Sequence, residues 1–370
     1  MIVGILKEIK AEENRVSMTP AGVEVMKQNG HTVLVEKNAG IRSGFEVTAY
    51  GKAGAEIIDD PKEIFQRSEL ILRVKEPTSS EYVLMREDQT YFSYLHLAAS
   101  EQLTRALIKT GSICVAYETI QKADGSLPLL TPMSEVGGRM AIQQGAKYLE
   151  MAQGGHGILL GGVPGVDPGT VLIIGGGVVG INAAKTACGL GAKVYILDRS
   201  LDRLRYLSDV MPRNCFPLMS SPAAIRDLIT RADVVVGAVL VRGAKTPKLI
   251  TREMLKTMKK GAVLVDVSID QGGCFETSHE TTHSNPTYAI DSVVHYAVSN
   301  MPGAVPKTST IALTNATLPY AVEIANKGWK RAMKENPEIK LGANVVKGKV
   351  TYKGVADAFG LEITPIDSLL

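Results

Sequence analysis

Short apolar runs alternate with longer helical patterns along most of the chain. In the first third, predicted strands cover residues 1–6, 31–36, 70–74 and 91–97, and predicted helices cover 61–67 and 81–86. Thr19 and Pro20 predict a helix start, because a hydroxyl caps the first turn and proline suits the first helical position. Ser134 is predicted to cap a long helix that ends near residue 152. This alternation favours parallel sheets flanked by helices.

The same alternation resumes after a glycine-rich segment at 154–169. Predicted strands lie at 171–174, 193–198, 234–239, 262–269, 288–290 and 296–298, and predicted helices at 201–208, 223–230, 252–259 and 309–334. The pattern predicts an α/β fold of two doubly wound Rossmann-like domains with a cleft between them. We assign residues 1–130 and 306–370 to the first domain and 131–305 to the second. The final segment is too short for a third domain, so we expect it to complete the first.

Three glycines stand between an apolar run and a helical pattern in the second half. Gly175, Gly177 and Gly180 follow the predicted strand 171–174, and the next predicted strand ends at Asp198. The first glycine allows a tight turn, the second lets a pyrophosphate approach the backbone, and the third allows close helix–strand packing. The helix N-terminus then faces the phosphates. This unit predicts dinucleotide binding, although an ordinary βαβ crossover with a glycine-rich turn has a similar pattern.

Asp198 points to NAD as the dinucleotide. A carboxylate at this position accepts hydrogen bonds from the adenosine ribose hydroxyls and repels a 2′-phosphate. The sequence therefore favours NAD over NADP. Arg199 leaves the choice open, because an arginine beside the carboxylate can partly accommodate a phosphate.

The composition excludes several classes of protein. Hydrophobic residues make up 45% and charged residues 21%, with a net charge of +3, which predicts a large core and no nucleic-acid binding. The four cysteines form no CxxC pair, so we predict neither a metal site nor a disulfide framework. The N-terminus lacks the order of a signal peptide, and no apolar stretch of about 18 residues predicts a membrane span. We expect a cytoplasmic protein without membrane contact.

Polar residues at predicted strand ends are candidates for chemistry. Lys75 and His96 follow two strands of the first predicted domain, and Asp270 follows a strand of the second. Ligands of open α/β sheets lie beyond the carboxyl ends of the strands. Each residue also has an ordinary explanation: a solvated lysine, a structural histidine and an aspartate in a turn. Their occurrence together in a nucleotide-dependent protein favours a catalytic site.

Short motifs spread through most of the chain are typical of one family. They are Lys7-Glu8, Asn14-Arg15-Val16, Thr19-Pro20-Ala21-Gly22, Val74-Lys75-Glu76-Pro77, Leu95-His96-Leu97-Ala98-Ala99, Pro132-Met133-Ser134-Glu135, Gly161-Gly162-Val163-Pro164-Gly165-Val166, Asp270-Gln271-Gly272-Gly273, Asn300-Met301-Pro302 and Pro306-Lys307-Thr308-Ser309-Thr310. Together with Asp266 and the glycine fingerprint, they resemble the bacterial NAD-dependent alanine dehydrogenases. That family also includes the nucleotide-binding alpha subunit of proton-translocating transhydrogenase.

The resemblance implies a reversible oxidative deamination in which L-alanine, NAD and water give pyruvate, ammonium and NADH. Arg15 and Lys75 are then expected to bind the substrate carboxylate. His96 supplies an imidazole, the side chain most often used for proton transfer, and Asp270 could stabilise the iminium or hold the attacking water. Which of these two carries the decisive proton is open. The family also implies a homo-oligomer, a hexamer.

Cofactor contacts follow from the fingerprint and from the resemblance. The pyrophosphate is expected on the backbone of Gly175, Gly177, Val178, Val179 and Gly180, and the ribose on Asp198. The resemblance places Ser134, Asp270, Asn300 and Met301 near the nicotinamide. Helix capping by Ser134 and core packing of Met301 are equally good explanations for those two residues.

Two other functions remain open. The same fold could act on another small amino acid or on a saccharopine-type adduct of lysine, because pocket size discriminates a methyl from a hydroxymethyl by only about 1–3 kcal/mol. Alternatively, the chain could be a nucleotide-binding subunit of a transhydrogenase-like complex. That function does not need Arg15, Lys75 and His96 as a set, so their joint presence argues against it.

Overall fold

The computed structural model describes residues 1–239 and 246–370. Within these ranges the strands are β1 (Ile2–Ile5), β2 (Thr32–Glu36), β3 (Glu56–Ile58), β4 (Leu70–Leu72), β5 (Thr90–Ser93), β6 (Ile113–Ala116), β7 (Thr170–Ile174), β8 (Lys193–Asp198), β9 (Cys215–Met219), β10 (Val234–Gly237), β11 (Val263–Asp266), β12 (Thr287–Ile290), β13 (Val293–Tyr296), β14 (Ala343–Val346) and β15 (Lys349–Val350).

The α-helices surround these strands. In the described ranges they are α1 (Pro20–Gln28), α2 (Val47–Lys52), α3 (Pro61–Arg67), α4 (Glu101–Thr110), α5 (Thr131–Tyr148), α6 (Val178–Gly189), α7 (Leu201–Val210), α8 (Pro222–Ile229), α9 (Arg252–Leu255), α10 (Pro306–Glu335), α11 (Pro337–Gly342) and α12 (Lys353–Phe359). The chain divides into a first unit, Met1–Met133 with Val305–Leu370, and a second unit, Ser134–Ala304.

The first unit contains an eight-stranded sheet in the order β15-β14-β6-β5-β4-β1-β2-β3. The six strands from β6 to β3 run parallel, whereas β14 pairs antiparallel with β6 and with β15. Strands β14 and β15 come from the last residues of the chain. The prediction that the C-terminal segment completes the first domain is therefore confirmed.

Local sequence explains the helix starts of the first unit. The Thr19 side chain accepts a hydrogen bond from the backbone N–H of Gly22, with Pro20 as the first residue of α1. The Ser100 side chain caps α4 in the same way by accepting from Leu103. The Thr19 cap was predicted, and both caps satisfy N–H groups that have no partner inside the helix.

The second unit contains a seven-stranded sheet in the order β12-β13-β11-β10-β7-β8-β9. All its strands are parallel except β12, which pairs antiparallel with β13. The chain reverses its direction of strand addition between β7 and β10, the point at which doubly wound sheets bind ligands. This arrangement confirms the predicted Rossmann-like fold and puts the glycine fingerprint, which follows β7, at that point.

Several predicted elements were wrong in detail. Residues 81–86 form only a short 3₁₀ turn at Tyr82–Leu84, and strand β5 ends at Ser93 instead of continuing to residue 97. Helix α5 begins at Thr131, where Pro132 favours a first turn, and ends at Tyr148. Ser134 therefore lies inside the first turn of α5 and is not its cap. The strands β3, β6, β9, β14 and β15 were not predicted.

Candidate functional site

Lys75 and His96 lie at the same edge of the first sheet. Strands β4 and β5 pair in parallel with Leu72 opposite Phe92. The pairing continues beyond the strands, since Arg73 donates to the Phe92 carbonyl at 3.2 Å and Tyr94 donates to the Val74 carbonyl at 3.1 Å. The residues that follow, Lys75 and His96, thus emerge side by side at the carboxyl ends of neighbouring strands, as the sequence predicted.

The ammonium group of Lys75 is largely buried beside another cation. Burial lowers the pKa of Lys75 below the ordinary lysine value, and the positive charge of Arg15 lowers it further. The carboxylates of Glu76 and Glu13 oppose this shift. Within residues 1–239 and 246–370, Lys75 forms no ion pair. A buried cation in this condition favours an anionic ligand.

Arg15 is buried and tightly held by Glu13. Glu13 accepts hydrogen bonds from the Arg15 Nε at 2.7 Å, from its Nη2 at 2.5 Å and from its backbone N–H at 3.0 Å. Burial has the largest single effect and lowers the pKa of Arg15, but the charge and hydrogen bonds of Glu13, together with smaller effects of Tyr94 and Glu8, raise it above the ordinary arginine value. The Nη1 atom lies 3.0 Å from the sulfur of Met133. Glu13 therefore fixes one edge of the guanidinium group and turns its Nη1 atom toward Met133.

His96 is held in an unusual backbone conformation. Its φ of 48° and ψ of 39° lie in the left-handed region, which is uncommon for a residue other than glycine. The carboxylate of Glu118 accepts from the backbone N–H of His96 at 2.6 Å and lies 4.0 Å from its Nδ1. The imidazole stacks on the Tyr94 ring with centroids 5.9 Å apart. These contacts direct a half-exposed imidazole outward at the sheet edge.

A buried charge network lies below this edge. Arg73 is fully buried and pairs with Glu8 and Glu81, both of which are also buried. Glu8 additionally accepts from the backbone N–H of Val74 at 2.7 Å, directly before Lys75. Burial raises the pKa of Glu8, against the opposing effect of Arg73. The network fixes the backbone from which Lys75 extends.

Sequence reasoning did not find Glu13, Glu118 or this network. Glu13 had one available signal, its position two residues before Arg15 in a polar segment. Glu8 belongs to the motif Lys7-Glu8, but the motif indicated no role for it. Glu118 and Glu81 had no signal, because only the folded sheet brings them to the ends of β4 and β5. Spacing along the chain carries no information about such pairings.

The glycine turn of the second unit has the geometry that a dinucleotide needs. A Cβ at Gly180 would lie 1.8 Å from the Gly175 carbonyl oxygen, so helix α6 could not pack this closely with any other residue. Gly175 has a φ of +109°, and a Cβ there would lie 2.4 Å from the Ala238 carbonyl oxygen. Gly177 is the N-cap of α6, and among residues 1–239 and 246–370 no side chain caps it and no atom lies within 4 Å of its Cβ position. This open space in front of a helix N-terminus fits a pyrophosphate.

Asp198 closes this turn from the end of β8. Its Oδ2 accepts from the backbone N–H of Gly176 and its Oδ1 from that of Ser200, each at 2.8 Å. The Arg203 Nε donates to the carbonyl of the same residue, Gly176, at 2.5 Å. The Arg199 side chain is exposed. The partly exposed carboxylate of Asp198 is therefore fixed beside the glycine turn, where ribose hydroxyls of a dinucleotide would lie.

Asp270, Asn300 and Met301 form a second group in the same unit. Asp270 is exposed in a turn at Ile269–Gln271, and its Oδ1 accepts from the backbone N–H of Asn300 at 3.3 Å. Asn300 has a φ of 53°, and the side chain of Met301 is buried. The three residues are thus brought together after β11 and β13, at the carboxyl ends of neighbouring strands.

Asp266 differs from Asp270 in its environment. It is buried, and it accepts hydrogen bonds from the backbone N–H of Ser268 and Cys274 and from the Ser278 hydroxyl, the last at 2.6 Å. Burial raises the pKa of Asp266, and these hydrogen bonds oppose the increase. Asp266 therefore organises the loop around Asp270 and is itself shielded from ligands.

Ser134 lies one helical turn before a close helix contact. A Cβ at Gly138 would lie 2.3 Å from the carbonyl oxygen of Val179, so α5 crosses the first turn of α6 with almost no space. Ser134 and Gly138 share a helix face because they are four residues apart. This packing brings the partly exposed Ser134 toward the glycine turn.

Comparisons with known proteins give a consistent result. The family profile "Alanine dehydrogenase/PNT, N-terminal domain" matches residues 4–137, and "Alanine dehydrogenase/PNT, C-terminal domain" matches residues 141–353. The curated "Alanine dehydrogenase" of Methanococcus maripaludis is 55% identical and covers 100% of both chains. The "Alanine dehydrogenase" of Bacillus subtilis is also 55% identical, covering 100% of this chain and 98% of its own length.

Solved structures agree with these sequence matches. A structure titled "L-alanine dehydrogenase" matches with a TM-score of 0.94 and 48% identity, covering 97% of this chain and 99% of its own. A transhydrogenase from Sinorhizobium meliloti matches with a TM-score of 0.82 over 95% of this chain and 99% of its own. Its identity is 22%, so it shows only the shared fold. Separately, no helix among the described residues has the length and apolar character to cross a membrane.

Proposed function

The chain belongs to the alanine dehydrogenase/PNT family, and we propose that it catalyses the reversible oxidative deamination of L-alanine to pyruvate and ammonium with NAD as the hydride acceptor. One structural observation carries the proposal. In the first unit Lys75 and His96 follow neighbouring parallel strands, and the positive charge of Arg15 acts on Lys75, a set suited to a small carboxylate that exchanges protons. Such a set has no use in a protein that only binds a nucleotide.

Arg15 and Lys75 bind the substrate carboxylate in this proposal. Glu13 holds the Nε and Nη2 atoms of Arg15, which fixes the plane of the guanidinium group that meets the substrate. Lys75 supplies a second positive charge that is desolvated and therefore strong. Two cations on one carboxylate fix the direction of the substrate Cα–H bond, which a single contact cannot do.

His96 and Asp270 are the proposed proton-handling residues. Loss of a hydride from Cα gives an iminium ion, to which water adds before ammonia leaves, so protons must be removed and returned. His96 suits this role because its imidazole is half exposed at the sheet edge where Lys75 also follows a strand. Asp270 supplies an exposed carboxylate for the cationic nitrogen or for the water. The division of roles between them stays open.

The second unit is the proposed NAD-binding domain. When bound, NAD accepts the hydride at its nicotinamide ring. The backbone of Gly175, Gly177, Val178, Val179 and Gly180 would hold the pyrophosphate, and Asp198 the ribose. Ser134, Asp270, Asn300 and Met301 would surround the nicotinamide. The uncapped start of α6 and the fixed carboxylate of Asp198 support this assignment.

Assembly and location are further parts of the proposal. We infer a homo-hexamer and a cytoplasmic enzyme from the family resemblance. Gel filtration with light scattering tests the first inference, and cell fractionation tests the second.

The direct test is NADH formation with a panel of L-amino acids, NAD and, in parallel, NADP. The proposal predicts reduction of NAD with L-alanine above all other amino acids. A preference for another amino acid would keep the chemistry and change the substrate. NAD binding without turnover of any amino acid would favour the nucleotide-binding subunit instead.

A further inference from the structure

Glu13 lies where its charge acts on both cations of the candidate site. Its side chain has 0% exposure, and its hydrogen bonds from Arg15 include the guanidinium and the backbone. Its negative charge also acts on Lys75, where it opposes the effect of Arg15. Since the carboxylate is out of contact with solvent, dissolved salt screens it weakly.

We propose that Glu13 determines how many carboxylates the site accepts. By offsetting one of the two positive charges of Arg15 and Lys75, it makes the site complementary to a ligand with a single carboxylate and discriminates against dicarboxylates. This inference rests on the proposed function, because it assumes that Arg15 and Lys75 bind the substrate. It adds a specificity-determining residue that itself bonds to Arg15.

The effect of the Glu13 charge on binding depends on how many negative charges the ligand carries. Removing one buried negative charge strengthens the attraction of the site for every negative charge on a ligand, so a dicarboxylate gains more than a monocarboxylate. Lys75 and Arg15 remain in place, and only the net charge that attracts the ligand changes. Glutamine at position 13 retains the shape and one acceptor oxygen, and it loses the negative charge together with the hydrogen bond that the second oxygen accepts from Arg15.

The experiment compares pyruvate with the dicarboxylic 2-oxo acid oxaloacetate, each with ammonium and NADH. In Glu13→Gln, the ratio of kcat/KM for oxaloacetate to that for pyruvate is expected to rise on the order of tenfold or more. Glu13→Asp keeps the charge and shortens the side chain, so it is expected to lower kcat/KM for both substrates and leave their ratio unchanged. A purely structural role of Glu13 predicts that both variants leave the ratio unchanged, and that result would overturn the inference.

Glu56→Gln is the matched control. Glu56 belongs to the same unit and pairs with Arg67 on the surface, with its side chain 48% exposed. This substitution changes the net charge by the same amount outside the site. The substrate ratio is expected to equal that of the wild type. A rise like that of Glu13→Gln would mean that overall charge, and not Glu13, sets the preference.

A binding measurement on the wild-type protein depends neither on turnover nor on the folding of a variant. Calorimetry with the wild-type protein and NADH compares propionate with malonate, two three-carbon acids that differ by one carboxylate. We expect malonate to bind less tightly than propionate, and tighter binding of malonate would overturn the inference. If the wild type lacks alanine dehydrogenase activity, the proposed function fails, while this comparison still decides the role of Glu13.

Discussion

The guanidinium group of Arg15 lies close enough to the Lys75 ammonium that its charge, together with burial, lowers the pKa of Lys75. Two like charges placed together in a largely buried setting cost stability, and a protein retains such an arrangement where an anion compensates it. We therefore expect the charge of Lys75 to be important for binding an anion.

Lys75→Ala is expected to abolish most turnover and to leave NADH binding intact. The substrate carboxylate would lose one of its two cations, and misplacement of a substrate by about 1 Å can cost roughly 100-fold in rate. We expect kcat/KM for pyruvate to fall by about that factor or more, and the dissociation constant for NADH to change less than about twofold. Steady-state kinetics and a fluorescence titration measure the two quantities.

Lys10→Ala is the control for that prediction. Lys10 pairs with Glu76 and is half exposed. Its loss is expected to change kcat/KM by less than about threefold, as is typical of exposed ion pairs. Equal effects of both substitutions, or normal turnover of Lys75→Ala, would remove Lys75 from the site.

The lowered pKa of Lys75 predicts a pH dependence of carboxylate binding. Only the protonated ammonium attracts an anion, so binding is full below the lowered pKa and is lost as the pH rises through it. The unfolded chain binds more protons between this value and 10.5, so the Lys75 contribution makes folding stability increase with pH in that window.

Calorimetric titration of propionate into the protein–NADH complex from neutral to alkaline pH measures this effect without the ammonium substrate. In Lys75→Arg, whose guanidinium stays protonated, the alkaline loss of binding is expected to disappear. If Lys75→Arg still loses propionate binding at alkaline pH, the group that titrates is not Lys75.

Gly180→Ala tests the glycine turn. The new Cβ would lie 1.8 Å from the Gly175 carbonyl oxygen, so the backbone must shift. We expect destabilisation of about 2 kcal/mol or more and loss of NADH binding. Chemical denaturation and a fluorescence titration provide the two readouts.

Gly189→Ala provides the comparison, because Gly189 stands at the end of the same helix and no atom of the described part of the chain lies within 4 Å of its Cβ position. It is expected to be neutral or to stabilise the protein by up to about 1 kcal/mol, since alanine is the better helix former. A similar loss of NADH binding in both variants would contradict the assignment of the turn.

Asp198→Ser is expected to shift the cofactor preference. The substitution removes the charge that repels a 2′-phosphate and weakens the contact to the ribose hydroxyls. The ratio of kcat/KM for NADPH to that for NADH should increase on the order of tenfold or more. Asp202→Ala removes an exposed charge that pairs with Arg205 and should not alter the ratio. An unchanged preference in Asp198→Ser would place the ribose elsewhere.

The sequence predicted the parts of the site that depend on local order. Lys75 and His96 were recognised because each follows a strand, and the fold brings the ends of parallel strands to one edge. The glycine turn was recognised because its spacing follows from backbone geometry. These rules concern neighbours in sequence or neighbouring strands, so a single sequence suffices to apply them.

The remaining parts depend on contacts between distant segments. Glu118 reaches His96 from the end of β6, and Glu8 reaches Arg73 across 65 residues. Strands β14 and β15 are short and join an edge of the first sheet, so their weak patterns gave no signal. Burial, which sets the pKa of Lys75, is likewise a property of the folded protein.

The most direct measurement of the central claim is the oxidation of NADH by pyruvate with and without ammonium, with quantitation of the amino acid formed. The account predicts rapid oxidation only when ammonium is present, with L-alanine formed in amounts equal to the NADH consumed. Oxidation that does not require ammonium, or that yields no L-alanine, would contradict it.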